Sequence, residues 1–161
     1  MKRYLLDTNT LAAPARTYYA IDRCPQFWDW IIDRNEHGVV FSVHKVQQEL
    51  LNYQDDLKAW AQQRSEDFFL EFDEQCLAAM ARVTKAVADN KYYTDANRAD
   101  FYNQADYYLI AHALAHGFIV VTFEQRVGAD SSKIKIPNVC DALGLGCTDL
   151  WGLFKEHPFK L

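Results

Sequence analysis

Asp7 interrupts an apolar run: Met1-Lys2-Arg3-Tyr4-Leu5-Leu6 leads straight into Asp7-Thr8-Asn9-Thr10. A buried strand that ends in a carboxylate, a hydroxyl and an amide sets three polar groups at the carboxyl edge of a sheet, where α/β folds bind their ligands. Glu124 lies two residues beyond Gly117-Phe118-Ile119-Val120-Val121-Thr122, a run of the kind a parallel strand covered on both faces shows, and is expected at the same edge. Asp106 sits in Ala105-Asp106-Tyr107-Tyr108-Leu109-Ile110-Ala111-His112-Ala113-Leu114-Ala115-His116-Gly117, which reads as a helix closed by its glycine. At about 100° per residue from Ile110, Leu114 falls at about +40°, Asp106 at about −40° and Ala113 at about −60°, so this carboxylate is in the apolar stripe. Glu49 borders another stripe, Val43, Val46, Leu50 and Tyr53, in a helix for which Ser42 can serve as N-cap.

Ionised carboxylates do not stay in such places alone, because burial without a partner raises the pKa until the group is neutral or costs several kcal/mol. No lysine or arginine lies one helical turn from Asp106. A divalent ion is the economical counter-charge, and hard oxygen donors select magnesium or manganese. Each acid taken alone also has a plainer role: Asp106 as a helix N-cap, Glu49 as a solvated flank, Glu124 as a loop acid. What favours a shared site is that all four fall at comparable boundaries, since perturbed carboxylates cluster where proteins do chemistry.

The elements that must position these acids alternate between strand and helix. After the first strand, Pro25 to His37 reads as a helix ending at Gly38, and Val39-Val40-Phe41 as a strand feeding the Ser42 helix. Asp55 to Arg64 and Asp73 to Asp89 are amphipathic helices, with an edge strand at Phe68-Phe69-Leu70 between them. Asn90 to Gln104 is polar and aromatic. After the Val120 strand, a loop through Gly128 to Ser132 precedes a β-rich Lys133 to Ile136, a short helix from Pro137 to Leu143, and a last helix capped by Thr148-Asp149 and running to Glu156. Alternation of this kind predicts right-handed crossovers and a mostly parallel sheet flanked by helices. The 161 residues, half of them apolar, fit one domain with a sizeable core.

The chain resembles the PIN-domain family of metal-dependent nucleases, many of them toxin ribonucleases of toxin and antitoxin pairs. The likeness rests on Leu5-Leu6-Asp7-Thr8-Asn9, on the mid-chain acid of Gln48-Glu49-Leu50, on Ala105 to Gly117, and on Val120-Val121-Thr122-Phe123-Glu124. Arg16 to Trp30 and Lys133 to Cys140 are similar to insertions around the site in a PIN-like subgroup. The resemblance implies a three-layer α/β sandwich in which Asp7, Glu49, Asp106 and Glu124 hold one or two magnesium or manganese ions. Asn9 and Thr122 would be polar support. It implies RNA as substrate and a co-encoded antitoxin as partner, and leaves a homodimer open. The last acid is more often aspartate in PIN proteins, so Glu124 reaches from a longer arm. The rival within this fold is a catalytically silent PIN-like protein-binding module.

Other constellations carry less. Asp7-Thr8-Asn9 also resembles the nucleophile motif of haloacid-dehalogenase-like phosphatases, but there the residue two beyond is an aspartate that transfers protons, and Asn9 is not an acid. His112 and His116 have the spacing of a zinc pair, yet Ala113 stands where H-E-x-x-H has glutamate, and the helical phase sets both opposite the apolar stripe, as a solvated pair. Cys24, Cys76, Cys140 and Cys147 form no C-x-x-C pair and are expected as packed thiols. The net charge of −5 argues against a general polyanion binder. Arg16, Arg126, Lys133 and Lys135 remain as cations to hold a strand, and Tyr18, Tyr19, Trp28 and Trp30 as rings to stack on bases, with the tryptophans expected in the core. No stretch of about 18 apolar residues and no signal-peptide pattern occurs, so a cytoplasmic protein without membrane contact is expected.

Overall fold

A computed structural model describes residues 1–161. Its element order is β1 (Tyr4–Leu6), α1 (Thr8–Arg16), α2 (Pro25–Glu36), β2 (Val40–Val43), α3 (His44–Leu50), α4 (Asp56–Gln62), β3 (Phe69–Leu70), α5 (Glu74–Asp89), α6 (Asp95–Tyr102), α7 (Ala105–His116), β4 (Ile119–Val121), α8 (Ile136–Leu143), β5 (Cys147–Thr148) and α9 (Leu150–Glu156). The five strands are all parallel in the order β3-β2-β1-β4-β5. The chain therefore winds outward from β1 to β3, then returns to the other side of β1, and right-handed crossovers in both directions put helices on both faces. The expected α/β class, a parallel sheet flanked by helices, is the observed one. Between β1 and β4 lies the switch point, with Leu5 opposite Val120 and Leu6 opposite Val121.

Strand residues Leu5, Leu6, Val40, Val120 and Val121 are wholly buried, as doubly covered strands require, and belong to one continuous apolar cluster. Each such aliphatic side chain contributes about 1.5–3 kcal/mol by leaving water. Tyr19, Phe27, Trp28, Trp30, Phe154 and Phe159 interlock at one end of this core, with Tyr19 stacked on Phe27 at 4.7 Å. The indole of Trp28 donates to the Tyr19 carbonyl at 2.6 Å. Both tryptophans are thus packing residues, and Tyr19 joins them rather than facing a base; Tyr18 stays exposed.

Several expectations need correction. The sequence reading assigns no element between the first strand and Pro25, yet α1 begins at once after Asp7, which is its N-cap, and runs through Pro14. Asn90 to Gln104 contains α6, capped by Thr94. Lys133 to Ile136 forms no strand, and the fifth strand is Cys147–Thr148 instead. Ser42 does not cap α3; it lies within β2, fully buried, and donates to the Leu6 carbonyl at 2.6 Å. His112 is not solvated but buried, because α5 packs on the face of α7 that the helical phase had assigned to water. Its Nδ1 has no hydrogen-bond partner, a burial that costs about 1–3 kcal/mol.

Candidate active site

β1 stops at Leu6 because Asp7 turns the chain into α1, and that turn fixes the carboxylate. Asp7 Oδ1 accepts from the Thr10 amide at 2.8 Å and from the Thr10 hydroxyl at 2.6 Å, while Oδ2 accepts from Thr122 Oγ1 at 2.6 Å. Thr122, one residue past β4, also accepts from the Glu124 amide at 3.1 Å, so one hydroxyl ties the ends of the two central strands together. On the α3 side, Glu49 Oε2 takes a short hydrogen bond from Thr8 Oγ1, and Oε1 takes the Ala105 amide at 3.1 Å. Glu49 thereby satisfies an orphan donor at the start of α7, next to Asp106. Glu124 Oε2 accepts from the Ile136 amide at 2.7 Å and does the same for the start of α8.

Asp106 is the exception: no donor reaches its carboxylate. Burial pushes its pKa up to about 7, with Glu124, Asp7 and Glu49 adding repulsion and Lys135 opposing them. The four acids thus share one field. Asp7 is also raised, by burial against the lowering effect of its threonine donors. Glu124 is raised by burial, although the Ile136 amide and Lys135 pull the other way. Lys135, one of the candidate cations, is the basic group nearest in effect to Asp106, and it arrives from the loop ahead of α8 rather than from α7. One ammonium does not balance four carboxylates, and Asp106 keeps its raised pKa despite it.

These oxygens suit a hard divalent ion, since Asp106 offers both of its own and Glu124 keeps Oε1 free. They do not form a closed cage. The one group of three metal-ligating residues with donor atoms within 4.8 Å of one another is Cys76, His112 and His116, at the other end of α7. An ion among the acids would keep part of its water, as magnesium usually does.

The supporting residues differ in part from expectation. Thr122 donates to Asp7, whereas Asn9 is exposed and its side chain makes no hydrogen bond; Thr8 and Thr10 donate to Glu49 and Asp7 instead. The pattern Asp7-x-x-Thr10 is an N-cap signal and was readable as such. Arg16 is engaged with Asp55 at 3.7 Å and lies over the Tyr53 ring at 4.3 Å. Arg126 forms a fork with Asp141 at 2.7 and 2.9 Å. Of the four candidate cations, Lys133 and Lys135 face a groove with Asn97, Phe101 and Gln104, beside the start of α7. A second cleft, of about 330 Å³, runs past Thr122 and Glu124 to Thr148 and Asp149, whose Oδ1 is taken by the Gly152 amide.

The family model described as "Domain of unknown function (DUF4411)" matches residues 4–161. Among solved structures, the crystal structure of FitAcB from Neisseria gonorrhoeae is similar at a TM-score of 0.52 and 20% identity, over 92% of this chain and 98% of that one. No curated protein matches the chain. At that identity the likeness is one of fold, and it extends over nearly the whole of both chains.

Proposed function

We propose that this protein, which belongs to the DUF4411 family, is an endoribonuclease that hydrolyses RNA phosphodiester bonds with magnesium or manganese held by Asp7, Glu49, Asp106 and Glu124. The observation that carries this reading is Asp106, a half-buried carboxylate without a hydrogen-bond donor, set among three other acids at the switch point of a parallel sheet. Its order of acids is that of the PIN nucleases the sequence resembles, and its fold is shared with FitAcB.

Each residue has a distinct part. Asp7, clamped by Thr10 and Thr122, is pre-oriented and keeps lone pairs for an ion. Asp106 offers both oxygens. Glu49 and Glu124 are each anchored through a backbone amide and act directly or through water. Bound there, a divalent ion supplies the Lewis acidity that lowers the pKa of a water and offsets charge on the leaving oxygen. Lys135 and Lys133 hold the phosphates of a strand lying along the groove at the start of α7, and so bring the scissile bond to the acids.

From the PIN resemblance we further infer that the protein is the toxin of a toxin and antitoxin pair, and that a co-encoded partner blocks the acids with a basic side chain. The experiment is cleavage of total RNA by the purified protein in millimolar magnesium or manganese and in chelator, with the new RNA ends sequenced. Cleavage only with metal is expected. Metal-independent cleavage would overturn the ion held by the acids, and no cleavage under any condition would leave the protein-binding module as the better account. Expression without the partner should slow growth; harmless expression of cleaving protein would remove the toxin role and leave the nuclease.

A further inference from the structure

The carboxyl end of α7 carries a second cluster, made of softer donors. His112 and His116, one turn apart, face Cys76 at the start of α5, and one donor atom from each lies within 4.8 Å of the others. Cys76 is wholly buried and His112 is 4% exposed. Asp73, which caps α5 by accepting from the Cys76 amide at 2.9 Å, lies 2.7 Å from His116 Nε2. A second observation points to a ligand: His112 Nδ1 is buried and has no hydrogen-bond partner.

We propose that Cys76, His112 and His116 bind a zinc ion, with Asp73 orienting His116 and supplying the second negative charge. A thiolate and two imidazoles are the donors that zinc takes and that magnesium and manganese pass over. Zn–S bonds of about 2.3 Å and Zn–N bonds of about 2.0–2.1 Å set tetrahedral donors about 3.5 Å apart, so small side-chain rotations close the cluster. Thiolate and carboxylate together balance the charge of the ion. A carboxylate on the free ring nitrogen is the usual outer partner of a metal-bound histidine. Zinc would also give His112 its missing partner.

Without metal, burial holds the Cys76 thiol up at about 11 and the His112 imidazole down at about 4, so both are neutral at physiological pH. The imidazole lone pairs are then available, and binding releases the thiol proton to solvent. The ion would clamp α5 to α7. It would also hold the amino edge of the sheet, because Arg3, one residue before β1, donates to the His116 carbonyl at 2.5 Å and covers Phe118 at 4.2 Å. On α7, Asp106 lies six residues from His112 and ten from His116, about 9 and 15 Å along the axis, so this site stands or falls apart from the nuclease reading.

The test strips the full-length protein of metal, saturates it with millimolar magnesium, and titrates cobalt and then zinc. One cobalt per chain should bind with a near-ultraviolet thiolate-to-metal charge-transfer band, and one zinc should displace it. Cys76→Ser should abolish the band and His116→Gln, at the rim, should weaken zinc at least about tenfold. Asp7→Asn should keep the band in full. Should Cys76→Ser fail to fold, His116→Gln decides the matter. A wild type without the band at stoichiometric cobalt, or a folded His116→Gln that binds zinc as tightly as wild type, overturns the site; RNA cleavage measured in parallel reports on the acids alone.

Discussion

The two ends of α7 offer opposite chemistry. At the amino end Asp106 stands with Asp7, Glu49 and Glu124, all oxygen donors; at the carboxyl end His112 and His116 meet Cys76, nitrogen and sulfur donors. The helix dipole favours a carboxylate at its start and positive charge at its finish. It therefore helps to hold Asp106 where burial penalises it, and works against any cation there. On the proposed reading the four acids outweigh that opposition, whereas at the carboxyl end a zinc ion would need only a thiolate and neutral rings. Exposure separates the ends only in part: Asp7 and His112 are equally buried, but at the amino end Glu124 lines a cleft, whereas Cys76 is sealed in the packing of α5 on α7.

The largest effect expected from breaking this contrast is on activity. Asp7→Asn and Asp106→Asn each remove a charge from the amino end with almost no change of shape, and should lower metal-dependent RNA cleavage more than about a hundredfold, beyond the range that outer-sphere losses reach. Full cleavage by either folded variant would falsify the acid site. The next effect is on stability. In chelator Asp106→Asn should melt higher than wild type, since it removes the carboxylate that has no donor. Manganese at ten times its Kd should stabilise the wild type by about 1.4 kcal/mol and the variant far less. Identical melting of the wild type in chelator and in manganese would mean that the acids hold no ion.

The amino end was legible in the sequence for a local reason. Two apolar runs stop at polar residues, and a helical phase puts Asp106 in a stripe; both are signals within a few residues of the acid they mark. The carboxyl end was not legible. Opposite the stripe was equated with facing water, but Ala105, Leu109, Ile110, Ala111, His112 and Ala113 are all buried, and a helix apolar nearly all round is covered on both sides. Only the partner helix reveals that Cys76, far off in sequence, closes on the histidines. Lys135 is among the candidate cations, but its place beside Asp106 was not legible, since no periodicity links its loop to α7. The miss at α1 is different in kind: Thr8-Asn9-Thr10 and Pro14 are poor helix formers, and the capping Asp7 together with packing outweighs their propensity. Ser42 shows the converse, a good capping residue held in a strand by its bond to Leu6.

The smallest effect, and the one that compares the ends most directly, is the pH dependence of stability in chelator. Asp106 loses its proton at about 4 in the unfolded chain and at about 7 in the fold, so between those values the folded state binds more protons and stability falls as pH rises. Asp7 and Glu124, also raised, act with the same sign. His112 gains its proton at about 6.5 when unfolded and at about 4 when folded. Below about 6.5 the unfolded state therefore binds more protons, and stability rises with pH. The ends of one helix thus oppose each other across the same window, each bounded at about 1.4 kcal/mol per pH unit. Asp106→Asn should tilt the urea midpoint upward with pH relative to wild type, and His112→Leu should tilt it downward; a profile unchanged by either substitution would show that the two groups do not carry these shifts. Manganese sharpens the comparison further, because an ion that binds the ionised carboxylates reverses the sign at the amino end. Stability should then increase with pH through this window in the wild type, while Asp106→Asn responds little.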